Sequence, residues 1–200
     1  MSKAEFCVFE CQNIASINAK VDRPIIDYTN DWRLGNPVTH ADGPKYLFWN
    51  GHLGVDTATK KLGDYFCIRG GIFAVTDEFA EFLKAFNLGE TQLFPVSLYE
   101  IDEKTKLDGN FFVLHIAGIQ NTFSPEQSSG IKLMNPETGL HIPWTDMDVA
   151  IMADDVAGVD LWRDPQLKGP IFCSSRLRDA INASDFVIRK KKFIPCRIAA

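Results

Sequence analysis

Twice along this chain a basic residue and glycine lead into a short apolar run, a hydroxyl residue, an amphipathic stretch and a second apolar run containing proline. The first copy runs from Arg69-Gly70-Gly71-Ile72-Phe73 through Thr76 to Phe94-Pro95-Val96, the second from Lys168-Gly169-Pro170-Ile171-Phe172 through Ser175 to Ile194-Pro195-Cys196. That order predicts strand-helix-strand units near 65–101 and 166–198, explained either by internal duplication or by two uses of one common local solution. In the first unit Phe79, Phe82, Leu83 and Phe86 recur at three- and four-residue steps, which gathers them on one helical face. Thr76 supplies the cap, Asp77 and Glu78 set negative charge at the positive helix end, and Gly89 is the expected stop. In the second, Ser175 is the expected cap and Leu177, Ala180 and Ile181 form the stripe.

The remaining signals are strands. Glu5–Glu10, Tyr46–Trp49 and Tyr65–Ile68 are short runs rich in aromatic residues. Gln92–Ile101 and Asn110–Ile116, joined by a charged connection ending in Asp108-Gly109, read as a hairpin, and so do Ile131–Met134 and Leu140–Trp144 around Asn135-Pro136-Glu137-Thr138-Gly139. From 30 to 61, Gly35, Pro37, Gly43, Pro44, Gly51 and Gly54 break any helix and allow only short strands, so the aromatic residues there are expected to pack on the core. The fold class is α+β, a mostly antiparallel sheet with a few helices, and 1–200 reads as a single domain.

Hydrophobic residues at 46% and charged residues at 24% exclude disorder and fibrous repetition. The first residues lack the apolar run of a secretory signal, and no stretch approaches the roughly 20 apolar residues of a membrane helix, so the expected location is the cytoplasm, away from membranes. Cys7, Cys11, Cys67, Cys173 and Cys196 are odd in number and without a C-x-x-C pair. They read as buried reduced thiols, with no disulfide framework or zinc site and no cation beside Cys7 or Cys173 to favour a thiolate.

The templates for phosphate, dinucleotide, zinc-protease and serine-hydrolase sites are missing from the sequence. His40, His52, His115 and His141 include no pair at helical i, i+4 spacing, so no metal site is expected. His40 with Asp42, and His52 with Asp56, are where an enzyme with a dispersed site would place its chemistry. His115 and His141 read as half-buried strand residues bonded to backbone, and Gly70-Gly71 as a structural turn.

Charge is the most uneven property. From Asp146 to Asp164 there are six acids, Asp146, Asp148, Asp154, Asp155, Asp160 and Asp164, against Arg163 alone, a local excess equal to the chain's net −5. Beyond Pro165 the bases dominate. Either the two segments pair with each other or face solvent, or the acids form a patch that steers a basic partner. The run Arg189–Lys192 is too short, in an acidic protein, to specify a nucleic-acid surface. Of Trp32, Trp49, Trp144 and Trp162, about one is expected at an interface and the rest in the core.

The order Val159-Asp160-Leu161-Trp162-Arg163, then Ile171-Phe172-Cys173-Ser174-Ser175-Arg176-Leu177-Arg178-Asp179-Ala180, then Phe193-Ile194-Pro195-Cys196 resembles immunity protein family eleven of bacterial polymorphic toxin systems. The match rests on 159–198. It departs from the family where Asp185-Phe186-Val187-Ile188 and the basic run stand in place of a glycine-containing segment. The resemblance implies a cytoplasmic antitoxin that binds and neutralises a cognate toxin, with no catalytic residue, cofactor or metal. The expected toxin-facing surface is Trp144 with Asp146, Asp148, Asp154 and Asp155. Two rival readings stay open: an enzyme with a dispersed site, and a structural or regulatory module of a larger assembly.

Overall fold

The computed structural model describes residues 5–11, 13–14, 17–20, 38, 43–49, 62–69, 71–117, 119–156 and 158–200. His40, Asp42, His52, Asp56, Trp32 and Gly70 lie outside them. In chain order the elements are β1 (Phe6–Glu10), β2 (Asn13–Ile14), β3 (Ile17–Lys20), β4 (Tyr46–Trp49), β5 (Tyr65–Ile68), β6 (Ile72–Thr76), α1 (Asp77–Leu83), β7 (Gln92–Tyr99) and β8 (Phe111–His115). There follow β9 (Ser129–Asn135), β10 (Leu140–Asp148), β11 (Ala150–Ile151), β12 (Leu161–Trp162), β13 (Ile171–Ser174), α2 (Ser175–Ala183), β14 (Lys192–Pro195) and β15 (Arg197–Ile198). The architecture is α+β. Most pairings are antiparallel, the exceptions being β2 with β5, β4 with β7 and β11 with β15.

The largest sheet closes on itself. Its order is β2-β5-β6-β8-β7-β4-β3, which puts β2 and β3 on opposite edges although the chain connects them within three residues. So short a link spans only about 10 Å, so the edges must meet. They do: the Arg69 amide donates to the Ile17 carbonyl at 3.0 Å, tying the end of β5 to β3. Alternation along the strands then sorts side chains by face. Leu47, Trp49, Phe66, Ile68, Ile72, Ala74, Phe94, Val96, Leu98, Phe111 and Val113 fill the interior, while Tyr65, Cys67, Phe73, Val75 and Leu114 point outward.

That outward face is covered by α1, α2 and a second sheet of order β12-β13-β1-β14. Phe79 and Leu83 from α1, Leu177 and Ile181 from α2, and Phe9 and Ile171 from the sheet complete this second cluster. Each such side chain stabilises the fold by about 1.5–3 kcal/mol through loss of water contact. The far face of the same sheet carries Phe6, Val8, Trp162 and Phe172, which join Phe123, Val149, Ile151 and Leu167 in a third cluster.

The two strand-helix-strand stretches share one geometry. β6 and β7 flank β8 and are both antiparallel to it; β13 and β14 flank β1 in the same way. Each helix is capped by the last residue of its first strand, Thr76 accepting from the Phe79 amide and Ser174 from the Leu177 amide, with nearly equal dihedrals of −71°, 165° and −69°, 159°. The cap is therefore Ser174 and not Ser175, which is the first helical residue.

An aspartate precedes each unit and ties it to the other. Thr76 donates from its amide to Asp64 O at 3.0 Å and from Oγ1 to Asp64 Oδ1 at 3.1 Å; Asp64 Oδ2 accepts from the Val187 amide at 2.7 Å and its own amide donates to Val187 O at 2.7 Å. Ser174 donates from its amide to Asp160 O at 3.1 Å and from Oγ to Asp160 Oδ1 at 2.5 Å; Asp160 Oδ2 accepts from the Asn87 amide at 2.8 Å and its own amide donates to Asn87 O at 2.6 Å. Each aspartate thus grips the segment that follows the other unit's helix. This grip explains why α1 ends at Leu83, well short of Gly89: Asn87 is drawn out of helical geometry to meet Asp160.

Candidate functional site

The expected toxin-facing residues fall on the hairpin β9–β10 and the turn beyond it. The hairpin follows from its turn: Asn135 Oδ1 accepts from the Glu137 amide at 2.9 Å, and Gly139 takes a positive φ of 65°. Its register pairs Leu140 with Asn135, His141 with Leu133, Ile142 with Lys132, Pro143 with Ile131 and Asp148 with Ser129. Between the last two pairs β10 contains more residues than β9, so Trp144 to Met147 bow outward in a bulge. Gly130 makes the bulge possible, for at φ 69° a side chain there would lie 2.3 Å from the Asp146 carbonyl oxygen.

The bulge leaves Trp144 66% exposed, with the Lys132 ammonium 4.4 Å from its ring centroid. Leu133 and Met134 near the tip are 46% and 49% exposed. Exposed apolar side chains grouped on one projecting element mark an interaction surface more often than singly scattered ones do. The root is fixed to the body: Ile131 and Met147 pack on the third cluster, and the His141 ring stands edge-on to Phe123 with centroids 5.5 Å apart.

The six acids of the 146–164 segment have three different fates. Asp146 is exposed on the bulge, and Asp154 and Asp155 are exposed on a separate one-turn 3-10 helix after β11. Asp148 roots the hairpin, taking the Arg197 Nε on both oxygens at 2.9 and 2.8 Å while Arg197 Nη2 reaches Gln127 O at 2.5 Å. Asp160 and Asp164 are buried. Burial opposes ionisation of Asp160, but Arg176, Ser174 and the Asn87 amide outweigh it and hold the carboxyl below its ordinary value. Burial instead pushes Asp164 upward, against amide donors from Thr122 and Phe123 at 2.7 Å and Gln166 at 2.9 Å. The acidic and basic segments therefore do meet, at Asp160–Arg176 and Asp148–Arg197. The open negative charge left to the proposed surface is Asp146, Asp154 and Asp155.

Sequence reasoning did not single out Lys132, Leu133 and Met134: the register that the turn alone implies sets Ile131 opposite Trp144, and only the irregularity between Leu140 and His141 brings Lys132 onto the face of Trp144. Among the described tryptophans, Trp49 and Trp162 are core. His115 is fully buried, deeper than expected. None of the five cysteines is in a disulfide: Cys7 opposes Cys173, the Cys196 amide donates to Phe6 O, and Cys11 packs on the second cluster, which contains Cys67. Burial pushes Cys67 up to about 11 and Cys11 and Cys196 to about 12. A cation does reach Cys7, contrary to the reading of its sequence neighbours: Arg178 Nη1 lies 3.1 Å from its sulfur.

A cleft of about 640 Å³ lies between the start of α1 and strands β7 and β8, lined by Lys45, Asp77, Glu78, Glu81 and Asn110 among others. The Asp77 carboxylate is engaged there, accepting from Asn110 Nδ2 at 3.2 Å and the Glu78 amide at 3.1 Å. Among the described residues no group of three or more His, Cys, Asp or Glu is placed to hold a metal ion, and no helix is long and apolar enough to cross a membrane.

Residues 12–196 match the model of an immunity protein family, Imm11. No curated protein matches the sequence.

Proposed function

The chain belongs to the Imm11 immunity protein family, and on that premise we propose that it neutralises a cognate toxin by binding it, with no bond-making step of its own. The observation that supports this reading beyond kinship is the projecting β9–β10 hairpin, with Trp144 66% exposed at its bulge. An aromatic anchor of this kind inserts into a pocket of a partner and carries a large share of the affinity. The proposed contact surface is Trp144 with Asp146, Asp148, Asp154 and Asp155. Asp148 holds the hairpin in place through Arg197, while the other three acids steer a basic toxin surface toward it.

The site of action is the cytoplasm, and 1–200 acts as one domain. The repeated strand-cap-helix-strand order and the reciprocal grips of Asp64 and Asp160 support an internal duplication of the units 65–101 and 166–198.

The experiment is binding of the purified chain to the toxin polypeptide encoded beside its gene, paired with protection of cells that express that toxin. Trp144→Ala is expected to weaken binding by about 2 kcal/mol or more, roughly thirtyfold, while leaving the unfolding midpoint near wild type. Changing Asp146, Asp154 and Asp155 together to Asn is expected to slow association and flatten its dependence on ionic strength. Failure of the wild-type chain to bind or protect refutes the proposal, as does substrate turnover by the purified chain that a single side-chain change abolishes.

A further inference from the structure

Resting on that reading, we propose that the outer edge of β9 receives an extended, basic segment of the toxin as a third strand of the hairpin. The register shows where the free backbone groups point. His141 gives its amide to Gln166 O at 2.7 Å, and its carbonyl takes the Lys168 amide at 2.9 Å, both on the side of β10 away from β9. His141 and its partner Leu133 are therefore a non-hydrogen-bonded pair, and the amide and carbonyl of Leu133 turn to the far edge of β9. Ile131 stands in the same phase, opposite Pro143, which has no amide hydrogen to offer. Among the described residues no other strand pairs with that edge.

Edges that must stay unpaired are blunted by proline, by several charges or by a cover. The edge Ser129-Gly130-Ile131-Lys132-Leu133-Met134-Asn135 has no proline and a single charge, and it is flanked by exposed Leu133 and Met134. Main-chain pairing would supply affinity, and alternate side-chain contacts would supply selectivity. Charge identifies the occupant. With Asp148 matched by Arg197, the hairpin carries Glu137 and Asp146 against Lys132, on a chain of net −5, so edge-to-edge pairing of two copies brings like charge together and a basic segment does not.

Leu133→Pro removes the outward amide, which the hairpin does not use, and proline is tolerated on an edge strand where the amide faces solvent. Leu133→Ala removes the side chain and keeps the amide. With the toxin encoded beside this gene as probe, calorimetry is expected to show Leu133→Pro binding about thirtyfold more weakly than Leu133→Ala. In the wild-type complex the Ile131 and Leu133 amides are expected to gain protection from hydrogen exchange, a readout independent of any folding defect in the variants. Equal affinity of the two variants, or unprotected amides in a tight wild-type complex, overturns strand addition and leaves the immunity reading standing. A wild-type chain that does not bind the toxin sinks both. A concentration-dependent dimer that Leu133→Pro abolishes would make the occupant a second copy and overturn the assignment to the toxin.

Discussion

Asp160→Asn keeps the shape of the side chain that joins the two units and removes its charge. In the wild type Oδ1 accepts from Ser174 Oγ at 2.5 Å and Arg176 Nε at 3.2 Å; Oδ2 accepts from the Asn87 amide at 2.8 Å and from Arg176 Nη2. Ser174 Oγ is itself the acceptor for the Leu177 amide that begins α2. An asparagine must turn its NH2 group toward one side or the other, and on either side it meets donors. The loss is one charge-assisted hydrogen bond, about 1.5–3 kcal/mol, plus a buried donor left without an acceptor, about 1–3 kcal/mol. Arg176 is 60% exposed at its side chain and recovers much of its hydration, which favours the lower part of that range. The expected destabilisation is about 3 kcal/mol. Asp64→Asn disturbs the equivalent grip, but its carboxylate takes two neutral donors, Thr76 Oγ1 and the Val187 amide, at a half-buried position, and about 1 kcal/mol is expected. Urea unfolding at neutral pH, read by tryptophan fluorescence with the m-value held common, measures both. The pH dependence provides a second check. Because the folded-state pKa of Asp160 is lowered, its contribution is present above the unfolded value near 4 and is lost as pH falls through the folded value. The gap between wild type and Asp160→Asn should therefore close in acid. A gap below about 1 kcal/mol at pH 7, a gap that persists undiminished to about pH 2, or an Asp64→Asn variant the less stable of the two would refute the reasoning.

Gly130→Ala forces a side chain into left-handed backbone 2.3 Å from the Asp146 carbonyl oxygen, so the hairpin should open by about 2 kcal/mol more readily, seen as faster amide exchange confined to β9 and β10. Removing the caps should cost about 1 kcal/mol for Thr76→Ala, and more for Ser174→Ala because its hydroxyl donates at 2.5 Å to Asp160, which is buried, whereas the Thr76 hydroxyl donates at 3.1 Å to Asp64, which is half-buried; chemical denaturation orders the two. With Cys11 and Cys196 pushed up to about 12, a disulfide reagent at pH 8 should titrate the native thiols slowly and all five promptly in denaturant.

What the sequence revealed was local. Turn residues announced both hairpins, the Thr76 cap and the Phe79-Phe82-Leu83 spacing announced α1, and alternation located the strands. What it hid was long-range. Closure of the main sheet depends on Ile14 and Ile17 reaching opposite edges, and no neighbouring residue encodes that. Ser174 and Ser175 are equivalent as caps until Asp160, fourteen residues before Ser174, takes the hydroxyl of the first. The six acids of 146–164 look alike in the sequence, yet the fold makes two of them interior ties and one the root of the hairpin. Arg178 reaches Cys7 across 171 positions, which inspection of the cysteine's neighbours could not anticipate.

The same arrangement separates the proposed contact surface from the core. From the hairpin only Ile131 and Met147 enter the third cluster; Leu133, Met134 and Trp144 stand outside all three. The links to the body are few: Asp148 to Arg197, His141 to Gln166 and Lys168, and the packing on Phe123. A substitution at Leu133, Met134 or Trp144 therefore leaves the closed sheet and the paired units untouched, since none of the three packs on a core cluster. On the proposed reading, a hairpin tied at the root but free along one edge and one face lets its contact residues vary at little cost in folding free energy. The residues that cannot vary in this scheme are the ties: Gly130, Asp148, His141 as a backbone partner, and Arg197.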